Sequence, residues 1–442
     1  MTAPTTEPIG IAMLGCGVVG SGVVRILAEQ RELLRRRTGL TFDLRHVVVR
    51  DPAKHREHAG ILPITSDAHS AIDDKRVKIV LELMGGTDPA SGLIERALRL
   101  GKPVVTANKS LLAEKGTSLF SAARQHDTCV AFEASCGGGI PIIHALTGGL
   151  VANRIDALVG IVNGTCNTIL TQMTRSGWGY AQALEEAKKL GFAEADPTLD
   201  VSGRDAAQKL AILAGLAFNV QVAEADIHVE GIERVDSVDI TFARELGYVV
   251  KLLAIAERRE ADRLSLRVHP TLIHTDDVLA DVSGGFNAIS VWGHALGHAL
   301  FYGRGAGQMP TASAVVSDLI GVALGTTPLA FKRFNIFPDT VAPADVLPFE
   351  QLETRYYLRL TARDVPGVLA EIAERLGRNG ISLSAVLQHE VDRGQHVPVV
   401  ITTHLSREGS MKQALREIDA LGNVRPPTVC LRIMDQPKEF RA

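Results

Sequence analysis

At 442 residues, 46% hydrophobic and 22% charged, the chain is too long for a single hydrophobic core and ordinary in composition for a soluble globular protein. A formal net charge of −3 leaves no basic field to hold a polyanion, and no apolar run reaches the roughly 18 residues that span a bilayer, so neither nucleic acid nor a membrane is expected as partner. Five cysteines without a CxxC pair, and residues 1–8 without a signal-peptide core, point to a reducing cytoplasmic setting.

In chain order, Ile9–Leu14 reads as a strand that enters a glycine cluster, followed by one long helix over Val18–Leu34 with a solvated basic end at Arg31–Arg37. Short apolar runs at Leu44–Val49, Ile79–Met84, Val104–Thr106 and Cys129–Phe132 alternate with helical patterns at Ala90–Leu100 and Leu111–His126. Such alternation predicts a Rossmann-type parallel sheet covered by helices. From about Asn153 the texture is mixed α+β, with a strand at Ala157–Val162 and helices at Tyr180–Leu190, Asp205–Ala217 and Phe242–Ala256. Gly303–Gly307 is a second glycine-rich loop, before a small-residue helix at Thr311–Leu324. Four prolines in Thr326–Gln351 read as a linker. Beyond it, elements at Arg355–Thr361, Gly367–Gly377, Ser382–His389, Val397–Thr403, Met411–Leu421 and Val429–Met434 follow the βαββαβ, ferredoxin-like plan. The fold class is therefore α/β, with domains at 1–150, 151–306 and 352–442, a linker at 326–351, and helix 307–325 packing back on the first domain.

Gly15, Gly17 and Gly20 form GxGxxG between a strand and a helix. That context lets the first glycine turn, the second admit a pyrophosphate and the third pack closely, while Val18 and Val19 open the helix whose free N–H groups face the anion. After the second strand, Arg50 and Lys54 favour the 2′-phosphate of NADP, whereas Asp51 would suit NAD.

Hydride transfer to a carbonyl needs a positioned proton donor. Asp205 and Lys209 stand i,i+4 on an otherwise apolar helix, which alone would be a surface ion pair. The acidic loop before it, with Glu194, Asp196 and Asp200, suits the ammonium group of an amino-acid substrate. Lys109 follows a parallel strand at the end where such sheets bind ligands, and a solvated lysine is an equal reading. In EASCGGGIP, from Glu133, the glycines imply either close backbone approach or a flexible crossing, and Asn163–Gly164 reads as a simple hairpin turn.

At these residues the chain resembles the homoserine dehydrogenase family, through GCGVVGSGVV, ELMGGTDPA, VVTANKSLLA, FEASCGGGIPII, GIVNGTCNTIL, GFAEADPTLDVSGRDAAQKLAILA and YGRGAGQMPTASAVVSDL. The resemblance implies Lys209 as proton donor and acceptor, Glu194 and Asp205 as holders of the substrate, and Lys109 as its orienter. Asp196, Asp200 and Gly305 would line the same cleft. It further implies a monovalent cation, Na⁺ or K⁺, on main-chain oxygens around Glu133, Cys136, Gly138 and Ile140, and a dimer or tetramer built through the central, substrate-binding domain. DVPGVLAEIAERLGRNGIS, from Asp364, resembles an ACT domain, which implies an amino-acid effector, threonine if the pathway's end product regulates it. One rival is aspartate semialdehyde dehydrogenase chemistry through a Cys136 acyl-enzyme. Another is a catalytically silent amino-acid sensor.

Overall fold

The computed structural model describes residues 7–53, 62–389 and 395–435. Along the chain come β1 (Ile9–Leu14), α1 (Val18–Glu29), α2 (Arg31–Thr38), β2 (Phe42–Val48), β3 (Ile64–Thr65), α3 (Ala68–Asp73), β4 (Val77–Glu82), α4 (Ala90–Arg99), β5 (Val104–Thr106), α5 (Lys109–Gln125), β6 (Val130–Ala131) and α6 (Ile142–His144). There follow β7 (Ile155–Ile161), α7 (Gly164–Ser176), α8 (Tyr180–Lys189), α9 (Thr198–Val201), α10 (Arg204–Phe218), β8 (His228–Val229), α11 (Ser237–Glu245), β9 (Tyr248–Arg258), β10 (Leu264–His274), β11 (Phe286–Gly293) and β12 (Gly297–Arg304). Last are α12 (Gln308–Ala323), α13 (Thr326–Arg333), β13 (Glu353–Arg363), α14 (Val368–Arg378), β14 (Leu383–Gln388), β15 (His396–Thr403), β16 (Ser406–Arg407), α15 (Glu408–Asp419) and β17 (Val424–Ile433). The described residues within 1–158, 206–226 and 286–344 form one compact unit, and those within 159–205, 227–285 and 345–442 another.

The first unit holds a six-stranded sheet in the order β3-β2-β1-β4-β5-β6, and every pair in it is parallel. Chain direction reverses its winding between β1 and β4, and ligands of open α/β sheets bind beyond the strand ends at such a switch point. Strand β1 is buried from Gly10 to Leu14, which explains its unbroken apolar run. The expected long helix is two, because Gln30 leaves helical geometry at φ −106° and ψ 14°. Helix α2, with Arg35, Arg36 and Arg37 in its last turn, has no buried residue, so no core packing holds it in line with α1. Helix α12 packs on α1: a Cβ on Gly22 would stand 2.9 Å from that of Ala312, and Gln308 Nε2 donates to Ser21 Oγ at 3.0 Å. The start of the segment read as linker is instead α13, where Pro328 lies in the first turn and its missing N–H has no helical acceptor to lose.

In the second unit β9 and β10 pair antiparallel, and β10 pairs parallel with β17 at Thr271–Arg432 and Leu272–Ile433. Strands β17, β13, β15 and β14 then continue antiparallel in that order, the ferredoxin-like 4-1-3-2 arrangement expected from the element sequence. Its core is built from Leu358, Leu360 and Ile401 of the strands with Ile372, Leu376, Met411 and Ile418 of α14 and α15.

The helix expected at Phe242–Ala256 is wrong. Gly247, at φ +82°, follows the end of α11, and the chain runs on as β9, buried from Val250 to Ala256. A strand covered on both faces has no period-two alternation, so its apolar run matched a helix equally well. Lys251 lies within that run, 6% exposed, and donates to the Val282 carbonyl at 2.6 Å. Burial lowers its ammonium to about 8, with the Arg175 charge adding to the effect. A lysine whose folded value is depressed carries its full penalty below that value and loses it as pH rises towards the unfolded value. Lys251→Met is therefore expected to stabilise the fold at pH 7 by up to about 3 kcal/mol, since Asn167 Nδ2 still donates to the Val282 carbonyl. Thermal melts should show this advantage shrinking above pH 8.

Among the described residues no single helix is long and apolar enough to cross a membrane.

Candidate active site

The glycine loop after β1 has the three properties its spacing demands. Gly15 adopts φ +99°, and a Cβ there would meet the Leu83 carbonyl oxygen at 2.7 Å. One on Gly20 would meet the Gly15 carbonyl oxygen at 2.6 Å. Gly17, the N-cap of α1, has nothing within 4 Å of its Cβ position, which leaves its backbone open to an approaching pyrophosphate. Val18 and Val19 form the first turn, and Val18 is exposed beside those free N–H groups. Arg50 stands exposed just after β2, while Lys54 lies outside the described residues.

The neighbouring strand ends are tied by a buried polar network that the sequence did not disclose. Glu82, fully buried at the end of β4, accepts from the Met84 and Gly85 backbone N–H groups at 2.8 and 3.3 Å and from Thr106 Oγ1 at 2.7 Å. Asn108 donates to the Gly86 carbonyl at 2.6 Å and accepts from Leu111 N at 3.2 Å, capping α5. Half-buried Lys109 is the first residue of that helix, and so is fixed at the carboxyl end of β5.

Lys209, also half-buried, lies on α10. Ser110 Oγ donates to Gln208 Oε1 at 3.0 Å, joining the residues adjacent to the two lysines. Both lysine charges also reach the Cys136 thiol. Cys136 is wholly buried, 3.9 Å from the Lys209 carbonyl oxygen, and burial pushes its thiol up to about 12 despite those charges. A thiol held this way stays protonated and is no nucleophile. Cys136→Ala is expected to keep kcat within about threefold of the parent, and a thiol reagent should not inactivate the native enzyme through this residue.

The glycine run beyond it makes a close backbone contact rather than a flexible crossing. A Cβ on Gly138, at φ +57°, would stand 2.6 Å from the Gly305 carbonyl, and Gly139 N donates to the Arg304 carbonyl at 3.1 Å. Gly305 is in turn packed on Asn287, whose side chain would lie 2.0 Å from an added Cβ. The Glu133 carboxylate is committed within the protein: it accepts from Ile143 N at 2.9 Å and His144 N at 2.7 Å, and pairs with His144 Nδ1 at 2.7 Å. Among the described residues no cluster of three His, Cys, Asp or Glu side chains is arranged to hold a metal. Main-chain oxygens of this loop partly serve the loop itself, since Ile140 N donates to the Gly137 carbonyl at 2.9 Å and Ile142 N to the Ile140 carbonyl at 2.8 Å.

The carboxylates of the second unit are gathered by Asn163, which is not in a hairpin. Its Oδ1 accepts from Cys166 N at 2.8 Å, making it the N-cap of α7. Its amide donates to Asp200 Oδ1 and Asp205 Oδ2, both at 2.7 Å, and Thr165 Oγ1 donates to Asp200 Oδ2 at 2.9 Å. Asp205, in the first turn of α10, is 4% exposed. Asp196 instead closes its own turn on Thr198, and Glu194 stands exposed on the loop with no hydrogen bond or ion pair among the described residues. Two acids thus converge around one amide, and one of them, Asp205, stands four residues before the half-buried Lys209 on the same helix.

Comparison with known proteins agrees over the whole length. Residues 15–133 match the NAD-binding domain of homoserine dehydrogenase, 141–320 homoserine dehydrogenase itself, and 356–423 the ACT domain. The homoserine dehydrogenase of Pseudomonas aeruginosa is 41% identical over 436 residues, covering 97% of this chain and 99% of the relative. The chain belongs to the homoserine dehydrogenase family. The crystal structure of a homoserine dehydrogenase from Thiobacillus denitrificans superposes with a TM-score of 0.91 at 43% identity, covering 97% of this chain and 99% of that one. A hyperthermophilic archaeal homoserine dehydrogenase in complex with NADPH matches at TM-score 0.62 and 26% identity, over 72% of this chain and 98% of that one. The protein is thus an NAD(P)-dependent oxidoreductase acting on a CH–OH group, with an ACT domain at residues 356–423. Neither the acyl-enzyme chemistry nor the silent sensor is favoured.

Proposed function

We propose that the chain interconverts L-homoserine and L-aspartate 4-semialdehyde with NADP in preference to NAD, and that Lys209 moves the proton. The bound dinucleotide supplies or accepts the hydride. Lys209 gives a proton to the aldehyde oxygen in reduction and takes it back from the hydroxyl in oxidation, while Lys109 orients that oxygen. Glu194 and Asp205 hold the substrate ammonium, and Asp200 supports them. The observation that supports this reading is the Asn163 amide bonded to Asp200 and Asp205, both at 2.7 Å, which holds two carboxylates in fixed orientation around one point.

The test is discrimination between homoserine and 4-hydroxybutanoate, which lacks the amine. The native enzyme should prefer homoserine strongly in kcat/KM, and Asp205→Asn should erase most of that preference. A preference unaltered by the substitution would remove Asp205 from the substrate. The exposed Arg50 supports the NADP preference, read as the ratio of kcat/KM for the two cofactors.

Carbonyl oxygens of Glu133, Cys136, Gly138 and Ile140 would hold Na⁺ or K⁺ and steady the glycine loop. Threonine is the proposed effector of the ACT domain. Assembly as a dimer or tetramer through residues 151–306, and action in the cytoplasm, complete the reading.

A further inference from the structure

We infer that Glu230 is a positioning residue through which the C-terminal module, by way of Arg432, sets the geometry of the Asp200–Asp205 segment. Arg432, on β17, is almost fully buried. Its Nη1 donates to Glu230 Oε2 at 2.5 Å, its Nη2 to Glu408 Oε1 at 2.7 Å and its Nε to Glu408 Oε2 at 3.2 Å. Tyr356 OH, on β13, donates to the same Glu408 carboxylate at 2.9 Å. One guanidinium therefore joins the interior of the C-terminal module to a single carboxylate in the loop after β8. Glu230 is steadied from the other side by His228, 2.8 Å from its Oε1, whose ring stacks on Phe349 with centroids 3.4 Å apart.

That loop has no slack against the acidic segment. Ile232 N donates to the Val201 carbonyl at 2.9 Å. A Cβ on Gly231 would lie 2.3 Å from the same carbonyl oxygen and 2.7 Å from Ser202 Cα. A Cβ on Gly203, at φ +82°, would lie 3.1 Å from Val229 and 3.3 Å from the Glu230 carbonyl oxygen. Val201, Ser202 and Gly203 are the residues between Asp200 and the first turn of α10 that carries Asp205. A displacement of β17 that pulls on Arg432 has a side-chain route through Glu230 into the spacing of the two carboxylates, beside the backbone route through β10, because close-packed contacts transmit strain.

A second ion pair of the same module serves as internal comparison. Arg359, also on β13, binds Asp239 of α11 at 2.6 and 3.0 Å, and Tyr357 OH donates to the same carboxylate at 3.1 Å. This contact is as well buried but leads to α11, not to residues 201–203.

The inference rests on the proposed role of Asp205 in holding substrate, so the experiment reads both in the full-length enzyme. Asp205→Asn must raise KM for homoserine; if it does not, that role and this inference fall together. Given that rise, Glu230→Gln and Arg432→Gln should each raise KM for homoserine roughly three- to tenfold, with kcat and KM for NADP little changed. The double variant should do no more than either single one, as expected when both remove one contact. Arg359→Gln should lower Tm without moving KM for homoserine. An unchanged KM in Glu230→Gln, or an equal rise in Arg359→Gln, would overturn the positioning role and leave the substrate role of Asp205 standing.

Discussion

Lys209→Ala is expected to lower kcat by about 10²- to 10⁴-fold, the range usual for loss of a positioned proton donor. The fold should survive, because packing of α10 rests on Ala206, Ala207, Leu210, Leu213 and Ala214, which are buried, whereas Lys209 is half-buried. Lys209→Arg separates two readings of the residue. A guanidinium keeps the positive charge beside the developing oxyanion but does not release a proton near neutrality. Arginine should therefore leave kcat within about tenfold of the alanine variant, and a near-native arginine variant would reduce the role of Lys209 to fixed charge. Circular dichroism and Tm, measured alongside, show whether either change has disturbed the fold.

Asn163→Asp should lower kcat/KM for homoserine by about 10²- to 10³-fold, the scale of an uncompensated buried charge. The substitution preserves shape and the N-cap bond to Cys166 N, but sets an acceptor against Asp200 and Asp205 where a donor had bridged them at 2.7 Å. Three acids then share one buried corner, and repulsion drives the pair apart or forces one to protonate. Relative to the parent, the variant should recover as pH falls, since a proton restores the missing donor. The KM for NADP should change little, because the substitution leaves the residues of the Gly15–Gly20 loop unaltered. An unaltered kcat/KM would show that the order imposed on these carboxylates is irrelevant to the substrate.

The dinucleotide half was legible because each buried parallel strand reads as a short apolar run and the glycine spacing reports steric facts at single positions. Gly17 has open space and Gly20 has none, as their places in the motif imply. The same logic failed at β9, where burial on both faces erased the alternation that marks a strand. Asn-Gly carries a turn signal locally, whereas the N-cap role of Asn163 depends on the helix that follows and its second role on acids about 40 residues away. Glu82 was invisible for a related reason: a buried carboxylate is explained only by the donors around it, here two backbone amides and Thr106. Charges close in sequence suggest a convergent acidic loop, but closeness along the chain does not fix where side chains point. Asp200 and Asp205 do converge, while Asp196 turns back on Thr198 and Glu194 remains exposed.

Product analysis of a single incubation reaches the central claim most directly. With purified enzyme, L-aspartate 4-semialdehyde and excess NADPH, each mole of semialdehyde consumed should yield one mole each of L-homoserine and NADP⁺, in the presence of a thiol-blocking reagent as in its absence. Formation of aspartyl phosphate when the same semialdehyde is given with NADP⁺ and phosphate, or turnover abolished by blocking Cys136, would contradict it.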